Sequence, residues 1–190
     1  MLERRAAIAC LMASRPKDLF VVPGLGSTTY DMASLGEKDQ DFYLWGAMGG
    51  ATMIGLGLAL ARPNVKVAVV TGDGEMLMGM GSLATVGVQR PPNLAIVVFD
   101  NQRYGETGMQ ASHTDRGVDL VAVARACGIA QTLEVQDQAG LEKLAGLLGG
   151  LKETLFARVR IKAENPPRVL PSRDGVELKL RFRKAVAAVG

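Results

Sequence analysis

The sequence predicts an α/β fold in which a doubly wound parallel sheet lies between two layers of helices. Short apolar runs alternate with longer segments of helical character along the chain, which is typical of strands joined by crossover helices. The run from Val65 to Thr71 is rich in valine and contains a single charged residue. Such a run indicates a strand that is covered by helices on both faces.

The elements follow one another in a regular order. The predicted strands are Asp18–Val22, Val65–Thr71, Leu94–Phe99, Gln131–Val135 and Leu155–Ile161, with a short extended piece from Phe42 to Leu44. The predicted helices are 3–14, 28–35, a small-residue helix that follows Gly50 and ends near Ala61, 75–89, 118–127, 137–148 and 176–188. The helix at 75–89 is expected to break between Gly79 and Ser82. Asp119, or a residue just before it, is expected to cap the helix at 118–127.

The length of 190 residues is typical of one domain. No internal repeat or low-complexity segment is visible, so residues 1–190 are interpreted as a single domain. A proline-containing linker at 165–171 leads into the last helix, at 176–188.

Composition and charge exclude several classes of protein. The chain carries 22 basic and 19 acidic residues, and this small net charge does not favour nucleic-acid binding. Its two cysteines, Cys10 and Cys127, lie in apolar helical contexts and suggest reduced thiols. The apolar part of residues 1–14 is too short to span a membrane and lacks the features of a signal peptide. We therefore expect a cytoplasmic protein with no membrane partner.

Polar residues follow two of the predicted strands. Gly72-Asp73-Gly74 closes one strand, and Asn101 stands at the end of the next. Carboxyl ends of parallel strands are where ligands bind in such folds, and Mg²⁺ prefers oxygen ligands combined with phosphate oxygens and water. The carbonyl of Arg103 would complete the protein's share, while Gly74 and Glu75 open a helix whose free N–H groups would meet a diphosphate. The alternative is a tight turn in which Asp73 merely caps that helix.

The same residues carry a resemblance to a known family. Gly72 to Gly74 together with Asp100-Asn101 resembles the thiamine diphosphate motif of thiamine-dependent enzymes. The segment from Asp100 to Thr114 is similar to the corresponding part of sulfopyruvate and phosphonopyruvate decarboxylases. Trp45–Gly49 and Gly79–Thr85 also fit that group. The resemblance extends from the first helix to Arg181–Arg183 and is closest to the separate β subunit, which consists of the diphosphate-binding (PP) domain.

The resemblance implies roles at matching positions. Asp73 and Asn101 would be Mg²⁺ ligands, with the backbone carbonyl of Arg103. The remaining residues of the implied cofactor site are Gly26, Ser27, Gly46, Ala47, Met48, Gly72, Gly74, Glu75, Tyr104 and Gly105. Met48 would force the cofactor into the bent conformation in which it deprotonates itself, whereas spacing alone favours a plain core methionine.

His113, the only histidine, is either a solvated loop residue or a group that contacts substrate or moves a proton. Together with Arg103 and Arg116 it could attract an anionic substrate tail, although charged loops commonly do nothing specific.

The resemblance also implies a partner. Thiamine-dependent enzymes need a glutamate from a second, pyrimidine-binding (Pyr) domain, and this chain has room for one domain. A Pyr-domain subunit would supply that glutamate, in an α₂β₂ or larger assembly. The implied activity is a non-oxidative decarboxylation of a small anionic 2-oxoacid to an aldehyde. Carboligation or ketol transfer and a non-catalytic cofactor-binding role remain alternatives, whereas an oxidoreductase β subunit is disfavoured because no cysteine cluster is present.

Overall fold

The computed structural model describes residues 1–189 of the chain. The strands in these residues are β1 (Leu19–Pro23), β2 (Lys66–Gly72), β3 (Leu94–Asp100), β4 (Arg103–Tyr104), β5 (Gln110–Ala111), β6 (Gln131–Val135) and β7 (Leu155–Arg160). The main sheet has the order β1-β2-β3-β7-β6, and all of its strand pairs are parallel. Parallel pairing places the carboxyl ends of β2 and β3 side by side, with Gly72 opposite Phe99.

The helices connect these strands. They are α1 (Arg4–Ala13), α2 (Ser27–Ala33), α3 (Ala51–Ala61), α4 (Asp73–Met78), α5 (Ser82–Gln89), α6 (Leu120–Ala126), α7 (Gln138–Gly149) and α8 (Gly175–Ala188). The predicted break between α4 and α5 is present, at a segment that contains two glycines. The predicted cap of α6 is also present, because the Asp119 carboxylate accepts hydrogen bonds from two α6 amides.

The sheet separates two apolar cores. One core lies between the sheet and α1, α2 and α7, and it includes Val97 and Leu144. The other lies between the opposite face and α3 to α6, and it includes Ile96 and Leu83. Neighbouring residues of β3 therefore face opposite cores, as alternation along a strand requires. The predicted three-layer α/β fold is confirmed.

Two features were not predicted from the sequence. β4 and β5 form a short antiparallel pair next to the carboxyl end of β3, and single turns of 3₁₀-helix follow each of them. Two-residue strands carry too little periodicity to be recognised in a sequence.

Within residues 1–189, every helix is too short or too polar to cross a membrane.

Candidate active site

A narrow cleft of about 90 Å³ lies at the carboxyl ends of β2 and β3. It is bounded by the start of α2, the start of α4, the β3–β4 connection and the 3₁₀ turn after β4. The residues that line it are Arg4, Ser27, Thr28, Met48, Gly72, Asp73, Gly74, Glu75, Phe99, Asn101, Arg103, Tyr104, Gly105, Glu106, Thr107 and Ile161. The cleft thus joins segments that are distant in sequence around the Gly72–Gly74 turn.

Asp73 is a buried carboxylate that is held by hydroxyl groups. Asp73 is only 2% exposed. Its Oδ2 accepts a hydrogen bond from Ser112 Oγ at 2.5 Å and lies 3.3 Å from Thr114 Oγ1, whose single proton is closer to Asp100. Burial raises the pKa of Asp73 to about 6, the Ser112 hydrogen bond opposes this, and the nearby charge of Asp100 adds to it. Neutral hydroxyls orient the carboxylate but leave its charge uncompensated.

Asp100, at the end of the neighbouring strand, differs from Asp73 because it is paired with a basic side chain. It is fully buried, and its Oδ2 lies 2.7 Å from Arg160 NH1. Its Oδ1 accepts hydrogen bonds from Thr114 Oγ1 at 2.8 Å and from the Gln102 amide at 2.9 Å. The guanidinium therefore compensates the charge of Asp100, and Thr114 links this pair to Asp73.

Asn101 and Arg103 form a local turn at the rim of the cleft. Asn101 Oδ1 accepts a hydrogen bond from the Arg103 amide at 2.9 Å, which fixes the side-chain amide and leaves its oxygen a second lone pair. The guanidinium of Arg103 turns away, with NH1 3.1 Å from Asp115 Oδ2. Arg116 is largely exposed and lies 4.0 Å from the same carboxylate. Asp115 thus offsets the positive charge that the sequence suggested for an anionic substrate tail.

The donor set fits a magnesium ion that is bound together with phosphate. A buried carboxylate without a basic partner is stabilised by a cation, and Asp73 is such a group whereas Asp100 is not. Among residues 1–189, no group of three or more His, Cys, Asp or Glu side chains could hold a metal by itself. A site of one carboxylate and neutral oxygens suits Mg²⁺, which takes most of its remaining ligands from phosphate and water.

Glu75 links two turns beside the cleft. Its Oε2 accepts hydrogen bonds from the Leu25 amide at 2.9 Å and from Thr71 Oγ1 at 2.8 Å, and its Oε1 accepts one from the Gly49 amide at 3.3 Å. The residue is 5% exposed. Burial raises the pKa of its carboxyl group, and these hydrogen bonds oppose that increase. The carboxylate therefore faces the protein rather than the cleft centre.

A larger, mostly apolar cavity of about 530 Å³ adjoins the cleft. Its lining residues are Met48, Gly74, Leu77, Met78, Met80, Tyr104, Thr107, His113 and Val118. The Tyr104 ring lies against Gly74, where a Cβ atom would approach the ring to 2.7 Å. Tyr104 Oη and His113 Nδ1 are 3.1 Å apart, so this pair stands at the boundary between the two spaces.

The structure brings most of the predicted residues together. Of that set, Gly26, Gly46, Ala47 and His113 do not line the cleft itself. Gly26 contacts Glu106, which does line it, and His113 lines the adjoining cavity. Gly46 and Ala47 are exposed on the turn before α3.

Several lining or contacting residues were missed by the sequence analysis. Arg4, Thr28, Phe99, Glu106, Thr107 and Ile161 line the cleft, and Ser112 and Thr114 bind Asp73. No periodic signal pointed to the two hydroxyls, because Ser112 precedes the 3₁₀ turn His113–Arg116, in which Thr114 lies. The rest depend on contacts between distant segments.

Known proteins resemble this chain in both sequence and fold. Residues 24–153 match the family model described as "Thiamine pyrophosphate enzyme, C-terminal TPP binding domain". The β subunit of sulfopyruvate decarboxylase from Methanothermobacter thermautotrophicus is 36% identical over 98% of this chain and 96% of its own length. Phosphonopyruvate decarboxylase from Streptomyces viridochromogenes is 47% identical over 66% of this chain.

This chain spans only 31% of the length of that phosphonopyruvate decarboxylase. The crystal structure of benzoylformate decarboxylase from Polynucleobacter necessarius is 24% identical and superposes with a TM-score of 0.72, covering 87% of this chain and 34% of that one. At this identity the superposition establishes the fold alone. Because the family model covers residues 24–153 and the Methanothermobacter subunit matches nearly end to end, the chain belongs to the thiamine pyrophosphate enzymes and carries their C-terminal, TPP-binding domain.

Proposed function

We propose that this chain is the cofactor-binding subunit of a thiamine diphosphate- and Mg²⁺-dependent 2-oxoacid decarboxylase. The observation that carries the proposal is the buried Asp73 carboxylate, which has hydroxyl partners and, within residues 1–189, no basic one, at paired strand ends beside a cleft. A magnesium diphosphate would compensate this charge. Family membership supports the same cofactor.

Asp73, the side-chain oxygen of Asn101 and the backbone carbonyl of Arg103 would hold the ion. Backbone amides of Gly74 and Glu75 would donate to the diphosphate. The bound cofactor supplies an electron sink for loss of CO₂ from a 2-oxoacid. The protein's own contribution is to orient the cofactor, to exclude water and to place polar groups near the reacting atoms.

The two adjoining spaces suit the two ends of such a cofactor. The narrow cleft presents Asp73 and Asn101 to the charged end, and the apolar cavity presents Met48 to the organic end. Both spaces share Met48, Gly74, Tyr104 and Thr107. We infer that Met48 maintains the bent cofactor conformation, and that His113, held by Tyr104, faces the substrate.

A partner subunit completes the proposal. The relatives that match over most of their length are named as β subunits, which implies a second kind of subunit. We propose that residues 1–190 form one PP-type domain and that a Pyr-domain subunit supplies the glutamate, in an α₂β₂ or larger assembly. Sulfopyruvate and phosphonopyruvate, which the relatives' names indicate as their substrates, are the first 2-oxoacids to test.

The proposal is tested by calorimetric titration of thiamine diphosphate with Mg²⁺, with and without the candidate partner. We expect saturable, Mg²⁺-dependent binding that weakens at least ~100-fold in Asp73→Ala, because a direct charged ligand is lost. Asp137→Ala, which removes a carboxylate that caps α7, should bind like wild type. Release of CO₂ from either 2-oxoacid by the assembled complex would complete the test. Unchanged binding by Asp73→Ala would refute the assignment of the site.

A further inference from the structure

We propose that Glu75 is a positioning residue that fixes the turn bearing Met48 against the cofactor cleft. Its carboxylate lies between the turn at the end of β1 and the turn before α3, and it accepts a hydrogen bond from a backbone amide of each turn. A hydroxyl at the end of β2, Thr71 Oγ1, provides a third hydrogen bond. Glu75 thus connects both turns to the helix that begins at Asp73.

The backbone of the first turn lies directly against this carboxylate. At Gly24, a Cβ atom would overlap Glu75 Oε2, so a side chain at this position would displace the carboxylate. Glu75 is 5% exposed, and its hydrogen-bond donors among the described residues are neutral. Burying a carboxylate among neutral donors costs desolvation free energy, so the role of Glu75 is better explained by the turns it holds than by net stability.

The turn before α3 needs such an anchor. Ala47 has φ 57° and Gly49 has φ 90°, and a left-handed conformation disfavours a residue with a Cβ atom such as Ala47. Glu75 Oε1 holds this turn at the Gly49 amide. On its other side the Gly49 backbone packs directly on Gly79, at the end of α4. The position of Met48 therefore depends on two contacts with α4.

This inference rests on the proposed function, in which Met48 contacts the organic part of the cofactor while Asp73 and Asn101 hold the metal diphosphate. Glu75 contacts neither group through its side chain. Loss of its link to Gly49 should therefore affect recognition of the organic part and spare recognition of the diphosphate.

The substitution Glu75→Gln should break the link to the Gly49 turn while it keeps the link to the Leu25 turn. Glutamine offers one acceptor oxygen and one NH₂ group. The oxygen should keep the two shorter hydrogen bonds, from Leu25 and Thr71, which leaves the NH₂ group facing the Gly49 amide. The matched control is Asp41→Asn, which alters another buried carboxylate, bound by Arg15 and Tyr43 rather than by these turns.

The first measurement is amide hydrogen exchange by NMR on the ligand-free full chain. In Glu75→Gln we expect the Gly49 amide to exchange ~10-fold faster relative to the Val97 amide in β3, with Leu25 protected as in wild type. Asp41→Asn should leave the ratio of Gly49 to Val97 unchanged. Unchanged relative exchange of Gly49 in Glu75→Gln would overturn the inference, because the link would then not hold the turn.

The second measurement compares two probes in the presence of Mg²⁺, thiamine diphosphate and inorganic diphosphate, using the chain alone and with its partner. In Glu75→Gln we expect thiamine diphosphate to bind about 10-fold more weakly and inorganic diphosphate to bind within about 2-fold of wild type. Equal weakening of both, or of neither, would overturn the positioning role. If wild type itself binds neither probe, the proposed function fails, and the exchange result still reports whether Glu75 holds the turn.

Discussion

Two buried aspartates at neighbouring strand ends, Asp73 and Asp100, have different partners, and this difference shows which of them could receive a cation. Arg160 lies against Asp100, whereas Asp73 is bound by the hydroxyls of Ser112 and Thr114. Hydroxyl donors restrict the orientation of a carboxylate without neutralising it. In the proposed site they would therefore act on the cation through the carboxylate that they hold.

Ser112→Ala tests this arrangement. Removing the Ser112 hydroxyl leaves Asp73 with only the more distant Thr114 hydroxyl, whose proton is closer to Asp100, so we expect Mg²⁺ to bind ~10-fold more weakly in the presence of thiamine diphosphate. The measurement is a Mg²⁺ titration followed by calorimetry. Ser34→Ala is the control, since Ser34 Oγ donates to the backbone carbonyl of Asp31 in α2. Equal Mg²⁺ affinity in both variants would show that Ser112 does not orient the carboxylate.

At the scale of elements, caps and close backbone contacts determine where the helices around the site begin and end. Asp119 precedes α6, and its Oδ1 accepts hydrogen bonds from the amides of Val121 at 2.9 Å and Ala122 at 3.1 Å. The hydrogen bond from Ala122, followed by smaller effects that include the charge of Arg158, lowers the pKa of Asp119 below its ordinary value.

Asp119→Ala should therefore lower the free energy of unfolding by about 1 kcal/mol near neutral pH, and Asp119→Asn by less. Because the pKa is lower in the folded state, the ionised carboxylate stabilises the fold above its ordinary pKa of 3.8. That contribution is lost as the pH falls through the folded-state pKa. Urea denaturation at several pH values should show the difference between wild type and Asp119→Asn shrinking in acid. A difference independent of pH would contradict this account.

The contact between α4 and the turn before α3 gives a second prediction at this scale. A Cβ atom on Gly79 would overlap the backbone of Gly49, so Gly79→Ala should destabilise the fold by about 1–3 kcal/mol. It should also shift the NMR signals of the turn that carries Met48. Gly81→Ala is the matched control, because Gly81 has helical dihedral angles and open space at its Cβ position. Equal stability of the two variants would exclude a tight contact at Gly79.

At the scale of the whole molecule, α8 joins the end of the described chain to the edge of the sheet. Phe182 packs edge-on against Phe20 of β1 at 5.6 Å between ring centroids and lies 5.1 Å from Phe42. Before α8, the Ser172 carbonyl accepts a hydrogen bond from Trp45 Nε1 at 2.8 Å. Residues after β7 therefore contact both the sheet edge and the turn before α3.

Phe182→Ala should lower the free energy of unfolding by roughly 2–3 kcal/mol, somewhat less than for a fully buried phenylalanine. The measurement is urea denaturation followed by circular dichroism. Leu180→Ala, on the same helix, changes a side chain that is 56% exposed and should alter stability by less than about 0.5 kcal/mol. If Phe182→Ala were equally neutral, α8 would not be packed on β1 in solution.

Local pattern was sufficient for much of this protein. The apolar runs predicted the strands of the main sheet, glycines predicted the break between α4 and α5, and Asp119 was recognised as a cap. The rule that ligands bind beyond the carboxyl ends of parallel strands predicted that Asp73 and Asn101 lie in one site, and both line the same cleft. These inferences depend on neighbours in sequence and on connection rules, both of which are visible in the chain itself.

The tertiary structure decided which side chains meet across loops. Ser112 reaches Asp73 over 39 positions, and Glu75 reaches Leu25 over 50 and Gly49 over 26. The guanidinium of Arg103 pairs with the carboxylate of Asp115. Loop segments have no periodicity that would fix their approach, and a polar group's partner is selected by what the packed sheet brings within about 3 Å. The sequence alone therefore determined the fold class and the strand ends that frame the candidate site, whereas folding determined the contacts that orient its groups.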